Sequence, residues 1–339
     1  MKRKKLTSLV LAFALVFALV PAFGITAYAA DLKVSNLSEL RSALSTAQTG
    51  DIINLDDVEG FISLDSELVV PEGVTVNICD DVYFLVRSAM INAGTLVISG
   101  AVNIEDAGSL INRGLLINNG RIGNNGNGMI RNDGLLVSNT NIVNHATVEN
   151  NGTITNDGWL GNYALFNNKG TIDSKNANSN MVNGGILKNS GEITAILFYN
   201  DDYIENYGTI CNMDHWNNVG GIIDNFAMFI NDGYFANYEG TVNNNGGSIT
   251  GDGAWVGNDP VEKETFIRAE AAAFVDKLKG NQNLLTITIT EYFTGKPPKS
   301  FSREFMIDNN AAGTYTVGDY KVFVNTKGNV QIREIYIVK

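Results

Sequence analysis

The sequence predicts an all-β protein, a right-handed parallel β-helix with three faces, and three observations carry that reading. A six-residue motif, apolar-x-Asn-x-Gly/Ala-x, runs through the middle of the chain. Three such hexads close one coil: Asn132-Asp133-Gly134, Asn150-Asn151-Gly152 and Asn168-Lys169-Gly170 recur 18 residues apart. The hexads also follow a short amphipathic segment that fits a helical cap on the open end of an apolar core.

The chain has 339 residues and opens on Lys2-Arg3-Lys4-Lys5, an apolar run from Leu9 to Val20, and Ala27-Tyr28-Ala29. This is the order of an export signal with a small-x-small cleavage site, so residues 1–29 are expected to be removed and the mature chain to begin near Ala30. Pro21 and Gly24 interrupt the run, which falls short of the roughly 18 unbroken apolar residues a membrane span needs. No later segment meets that length, so no membrane span is expected in the mature chain. The expected location is extracellular, free or held at the cell surface. The signal carries four positive and no negative residues, so its loss takes the net charge from −12 to −16. A chain this acidic repels phosphate backbones, which excludes nucleic acid and anionic lipid as partners and leaves calcium as a weak candidate ligand.

Leu37, Leu40, Leu44 and Ala47 mark one face of the cap helix, Gly50 ends it, and Asp51 to Leu55 enters the first strand. Val69-Val70-Pro71-Glu72-Gly73-Val74 then reads as strand, turn, strand. From Leu110 the inward positions of the hexads are Leu116, Ile122, Ile130, Leu136, Ile142, Val148, Ile154, Leu160, Phe166 and Ile172. After an interruption they resume at Leu187 and run to Ile249. A triplet such as Thr153-Ile154-Thr155 is a short strand, Gly152 and Gly158 ease the corners, and stacked Asn side chains pair groups that the turns leave free. Asn/Gly-rich tracts are often disordered, but an apolar residue at every sixth position over some 140 residues is not low complexity. Cys79 and Cys211, some 30 Å apart along the axis at about 4.8 Å per coil, are expected to be free thiols.

The solenoid is assigned to residues 30–258, and residues 259–339 to a helix plus a small β-rich, sandwich-like domain. Val261 to Lys279 reads as an amphipathic helix with Phe266, Ala273, Phe274 and Leu278 apolar, ended by Gly280. Strands follow at Leu285-Ile287-Ile289, Phe301 to Ile307, Thr314 to Val317, Tyr320 to Val324 and Val330 to Val338, with a hairpin turn at Asn325 to Asn329.

Val34 to Val256 resembles the pectin-lyase-like right-handed parallel β-helix superfamily. The cap helix, the Val69 to Ile78 strand-turn-strand and hexads such as Asn112-Arg113-Gly114-Leu115-Leu116 look like the first coils of that family and the coils of its bacterial adhesins. The resemblance implies an extracellular polysaccharide, cell wall or host surface as partner. It would also allow a lyase or hydrolase acting on acidic polysaccharide. Left-handed hexapeptide-repeat acyltransferases use similar hexads and a catalytic His. The export signal, the helical cap, irregular insertions and crossover handedness count against that alternative.

The sequence shows no recognisable catalytic motif. The Asp pairs Asp56-Asp57, Asp80-Asp81 and Asp201-Asp202 lack an Arg at one-coil spacing, which proton abstraction beside a uronate requires. His145 is flanked by Asn144 and Ala146, His215 has only Asp214 beside it, and no His/Cys pair has metal-ligand spacing. Gly251-Asp252-Gly253 and Gly257-Asn258-Asp259 are one imperfect copy of a calcium-binding turn. An ice-binding ladder fails because Thr153-Ile154-Thr155 becomes Thr171-Ile172-Asp173 one coil later. The candidate binding residues are Trp159, Tyr163, Tyr207, Phe226, Tyr234 and Tyr238, rings at outward hexad positions that could stack on sugars along one long face. The expected role is a secreted, non-catalytic, adhesin-like or polysaccharide-binding scaffold. The C-terminal domain could alternatively be the binder, with the solenoid as its stalk.

Overall fold

A computed structural model describes residues 29–262, 266–277, 283–293, 298–307, 312–325 and 331–337; most of the expected export signal lies outside them. The hexads wind into a parallel β-solenoid of about 11 turns with about 20 residues per turn. Most coils contribute three strands of three or four residues, one to each of three faces, whereas Glu192–Asn200 and Thr209–Asn218 each run through two faces as one strand. Thr95–Ile98 and Leu115–Asn118 belong to face 1, Ala101–Ile104 and Arg121–Asn124 to face 2, and Ser109–Asn112 and Met129–Asn132 to face 3. Within a strand the second and fourth side chains point inward. The second is the apolar hexad residue, and the fourth is the Asn, which the expected triplet had left outside the strand.

The apolar positions form one continuous core from Val34 to Val242, and all the hexad residues named above are buried in it except Ile249, which packs against its edge. Each such Ile or Leu contributes about 1.5–3 kcal/mol by burial. Toward the C-terminal end the core turns aromatic, with Phe198 edge-on to Trp216 at 4.2 Å and Phe229 edge-on to Phe235 at 5.3 Å. The cap forms as expected. The helix spans Leu37–Thr46, Asn36 caps it by accepting from the Glu39 N–H, and Leu40 and Leu44 are buried against the first coils.

The fourth, inward Asn residues stack into ladders. On face 3 each Asn donates its Nδ2 to the Oδ1 of the next, from Asn92 through Asn112, Asn132, Asn150, Asn168, Asn189, Asn206 and Asn225 to Asn244, at 2.7–3.0 Å. A second ladder on face 2 runs from Asn124 to Asn237. Face 1 has a broken one, with Ser138 and Ser174 among its members. Above the ladders the same corners hold aliphatic residues: Val70 lies over Asn92, Ile98 over Asn118 and Ile104 over Asn124. The Oδ1 atoms of those three leading Asn residues are therefore buried with no donor.

The structure corrects four expectations. The 18-residue coil holds only in the middle; steps along face 1 run from 17 to 23 residues, because turns such as Asn125-Gly126-Asn127-Gly128 are longer than a hexad allows. Gly152 serves close approach: its φ is not positive, and a Cβ there would meet the Gly134 carbonyl oxygen at 2.1 Å. The helix expected from Val261 to Lys279 is strand in every described residue: Val261–Glu262 extends face 3 beneath Thr241–Asn244, and Phe266–Lys277 pairs antiparallel with Asn283–Phe293. Residues 278–280 lie outside the described set. The hexads also miss Met181 and Phe198, both buried, where insertions shift the phase.

The remaining strands fall where expected, at Lys299–Ile307, Gly313–Val317, Tyr320–Asn325 and Gln331–Ile337; residues 326–329 of the expected hairpin turn and residue 330 of the last expected strand are outside the described set. With Phe266–Lys277 and Asn283–Phe293 they form two three-stranded antiparallel sheets around a second core that includes Leu285, Ile287, Ile289, Val317 and Val322. Cys79 and Cys211 are free. No helix among the described residues is long and apolar enough to cross a membrane.

The ladder ends allow a direct test. Val70→Thr would offer its hydroxyl to Asn92 Oδ1, whereas Val76→Thr would bury a hydroxyl in an aliphatic strand. Chemical denaturation is expected to find Val76→Thr destabilised by about 1–3 kcal/mol and Val70→Thr by less than half of that.

A candidate ligand-binding face

The six candidate rings do not share one face. Trp159, Tyr163, Tyr234 and Tyr238 lie on face 2 and its following corner, whereas Tyr207 and Phe226 lie on the corner after face 3. Counting hexads from the sequence could not separate them, because coil length varies.

On face 2 the rings come in pairs that bracket a small residue. Trp159-Leu160-Gly161-Asn162-Tyr163 and Tyr234-Phe235-Ala236-Asn237-Tyr238 share one pattern. The second and fourth side chains enter the core, and the first and fifth stand outside on either side of the third. Trp159 Nε1 and Tyr163 Cε2 each lie 3.1 Å from where a Gly161 Cβ would be, so the two rings converge over bare backbone. Tyr234 and Tyr238 are hydrogen-bonded to each other across Ala236, and that bond holds the Tyr234 hydroxyl above the usual phenol range. Trp159, Tyr163 and Tyr238 are exposed, and Tyr234 is half-buried. The aromatic-x-small-Asn-aromatic spacing was present in the sequence as a signal of these two platforms.

Each platform is extended by a histidine one coil earlier. His145 stacks on Tyr163 with centroids 5.0 Å apart, and His215 stacks on Tyr234 at 4.7 Å. These are the only two histidines in the chain. Both are exposed, and His215 sits within the continuous strand Thr209–Asn218. Among the described residues neither imidazole is paired with a carboxylate, Asp214 included. A cavity of about 200 Å³ lies beside the second platform, lined by Asn217, Asn218, Val219, Ala236, Tyr238 and Glu239.

The face 3 rings are organised differently. Tyr207 stacks on Phe226 at 4.6 Å, but its hydroxyl donates to Glu205, which also pairs with Lys188 at 3.0 Å. Partial desolvation and Glu205 raise the Tyr207 pKa. Burial and the Asp224 carboxylate, which accepts its hydroxyl at 2.7 Å, raise that of Tyr203. These side chains are engaged with one another.

Of the three Asp pairs, two converge. Asp56, Asp57 and Asp81 bring carboxylate oxygens within 4.8 Å of one another at the edge of a cleft of about 610 Å³ near the cap, where Asp80 and Cys79 also lie. Lys33, which no motif in the sequence singles out, donates to Asp57 at 2.5 Å and pairs with Asp56 at 3.0 Å, bringing a positive charge to two of the three acids. These carboxylates hold the Lys33 ammonium well above the usual lysine range, and Lys33 in turn lowers Asp56. Burial pushes the Cys79 thiol up, away from a reactive thiolate. Asp201, Asp202, Asp252 and Asp259 are exposed. The cleft thus keeps an excess of negative charge, with Asp56 and Asp57 already paired with a lysine, far from the rings. The platforms offer stacking surfaces and amides without an acid–base pair. No family model, curated protein or solved structure matches the chain.

Proposed function

We propose that this is an exported, non-catalytic scaffold that binds polysaccharide through face 2, in the manner of an adhesin built on a pectin-lyase-like β-helix. The observation that carries the reading is the repeated platform: two outward rings over a small residue, with a histidine stacked behind, built twice on the same face. Stacked rings present flat apolar area at low conformational cost, and sugar rings pair such a face with hydroxyls that suit the neighbouring amides. Strand positions anchored by buried Leu160 and Phe235 keep the rings in place.

The cleft beside Asp81 favours a second reading, hydrolysis or lysis of an acidic polysaccharide, but Asp56 and Asp57 there are already paired with the Lys33 ammonium. Calcium would compete with that ammonium, so it is expected to add little to binding.

Co-sedimentation of the exported protein with insoluble polysaccharides and bacterial cell walls, with and without calcium, tests the proposal. Depletion from the supernatant without released sugar is expected, with about tenfold weaker binding by Trp159→Ala. Released sugar that disappears in Asp81→Asn would replace the scaffold reading with the enzymatic one.

A further inference from the structure

We infer that the ligand of face 2 is an extended, uncharged β-1,4-linked sugar chain lying parallel to the solenoid axis and touching both platforms. This rests on the polysaccharide-binding reading above. The platforms occupy the same outward columns, and register places them four coils apart: Trp159 pairs with Asn180, Met181 with Phe198, Trp216 with Phe198, and His215 with Tyr234. At about 4.8 Å per coil they are about 19 Å apart. Tyr199 lies midway, two coils from each, in the central column between Val182 and Asn217.

The spacing selects the ligand. An extended β-1,4-linked pyranose chain advances by close to one coil per sugar, so successive sugars meet successive coils in the same register. Such a chain also turns over from one residue to the next, so every second sugar presents the same face. Rings at Trp159, Tyr199 and Tyr234 recur at every second coil, which is the matching period.

Charge narrows the class further. Between the platforms the outward columns carry amides, aliphatic side chains, Tyr199 and His215, with Asp201 the one acid among them. Glu239 borders the cavity at the second platform. With no lysine or arginine to meet a carboxylate in these columns and with Asp201 and Glu239 beside them, a polyuronate would be disfavoured, whereas hydroxyl or acetamido groups suit Asn217.

Titration calorimetry of the exported protein with soluble β-1,4-linked glucose and N-acetylglucosamine oligomers of two to six residues, and with polygalacturonate, tests this. Affinity for one series is expected to climb with length to about five residues, the span of about 19 Å, and then level off. Trp159→Ala and Tyr238→Ala should each weaken the pentamer about tenfold and flatten the length dependence, with Tyr207→Ala on face 3 unchanged. Binding independent of length, a preference for polygalacturonate, or loss on Tyr207→Ala alone would overturn the inference while leaving polysaccharide binding standing. Failure to bind any sugar, soluble or insoluble, would overturn both.

A different observation carries a second proposal. Asp51 is buried at 7% exposure, and its two oxygens accept the backbone N–H groups of Ala30 at 2.8 Å and Gln48 at 2.7 Å. Those bonds, Gln48 first, hold its carboxyl below the usual range. We infer that hydrolysis of the Ala29–Ala30 bond by a signal-peptide hydrolase frees an ammonium at Ala30 that Asp51 then clasps, locking the first strand onto Ile52. Water supplies the oxygen of the new Ala29 carboxylate, and Ala30 leaves as the amine and takes up a proton. An ammonium that gains a carboxylate partner on folding has its pKa raised, so its contribution is full below about pH 7.7 and is lost as pH rises through the folded value. The exported protein is expected to show a mass beginning at Ala30. It should melt higher at pH 7 than a form with one Gly added before Ala30, with the gap closing near pH 10 and absent in Asp51→Asn. A different first residue, or equal melting of the two forms at pH 7, would overturn the clasp.

Discussion

The structure depends on one hydrogen bond repeated from coil to coil, in which the amide of one inward Asn donates to the amide of the next. A four-residue strand is too short to stand alone, and at each corner the backbone leaves the sheet with carbonyl groups unpaired. The same Nδ2 group that reaches the next Asn also reaches a carbonyl where the following strand begins; Asn132 bonds both Asn150 Oδ1 and Thr153 O. A buried amide is costly unless fully bonded. Each member is therefore favourable only when its neighbours are in register, and that condition transmits order along the axis.

Much of this was legible in the sequence, for a physical reason. The hexad names one apolar and one amide residue at fixed spacing, and both face inward, so burial enforces the pattern. Where length is free to vary, the pattern loses phase, which is how Met181 and Phe198 escaped notice. The segment from Phe266 to Lys277 reads as helix in the sequence because alanine is a good helix former and Phe266, Ala273 and Phe274 fall near helical spacing. Its period is in fact two: Ala269, Ala271, Ala273 and Val275 pack against the second core, and Phe274 is exposed. A sheet partner supplies what local propensity does not.

The candidate site was half legible. Outwardness of Trp159 or Tyr238 follows from hexad position alone, but sharing a face requires the number of residues in every intervening coil. The Lys33–Asp56–Asp57 cluster was invisible for the same reason, since its members meet only across one coil. A solenoid separates these demands: inward positions are fixed by the ladder and the core, while outward ones are free to carry recognition at a spacing the coil rise sets.

The most direct measurement of the account is a denaturation comparison of neighbouring Asn→Ala variants. Asn150 is fully buried, accepts from Asn132 at 2.8 Å and donates to Asn168 at 2.7 Å. Asn151, next to it, is exposed and donates to Asp133. Asn150→Ala is predicted to cost about 1–3 kcal/mol and Asn151→Ala no more than about 0.5 kcal/mol. Equal, small losses at both positions would contradict the claim that the ladder holds the coils together.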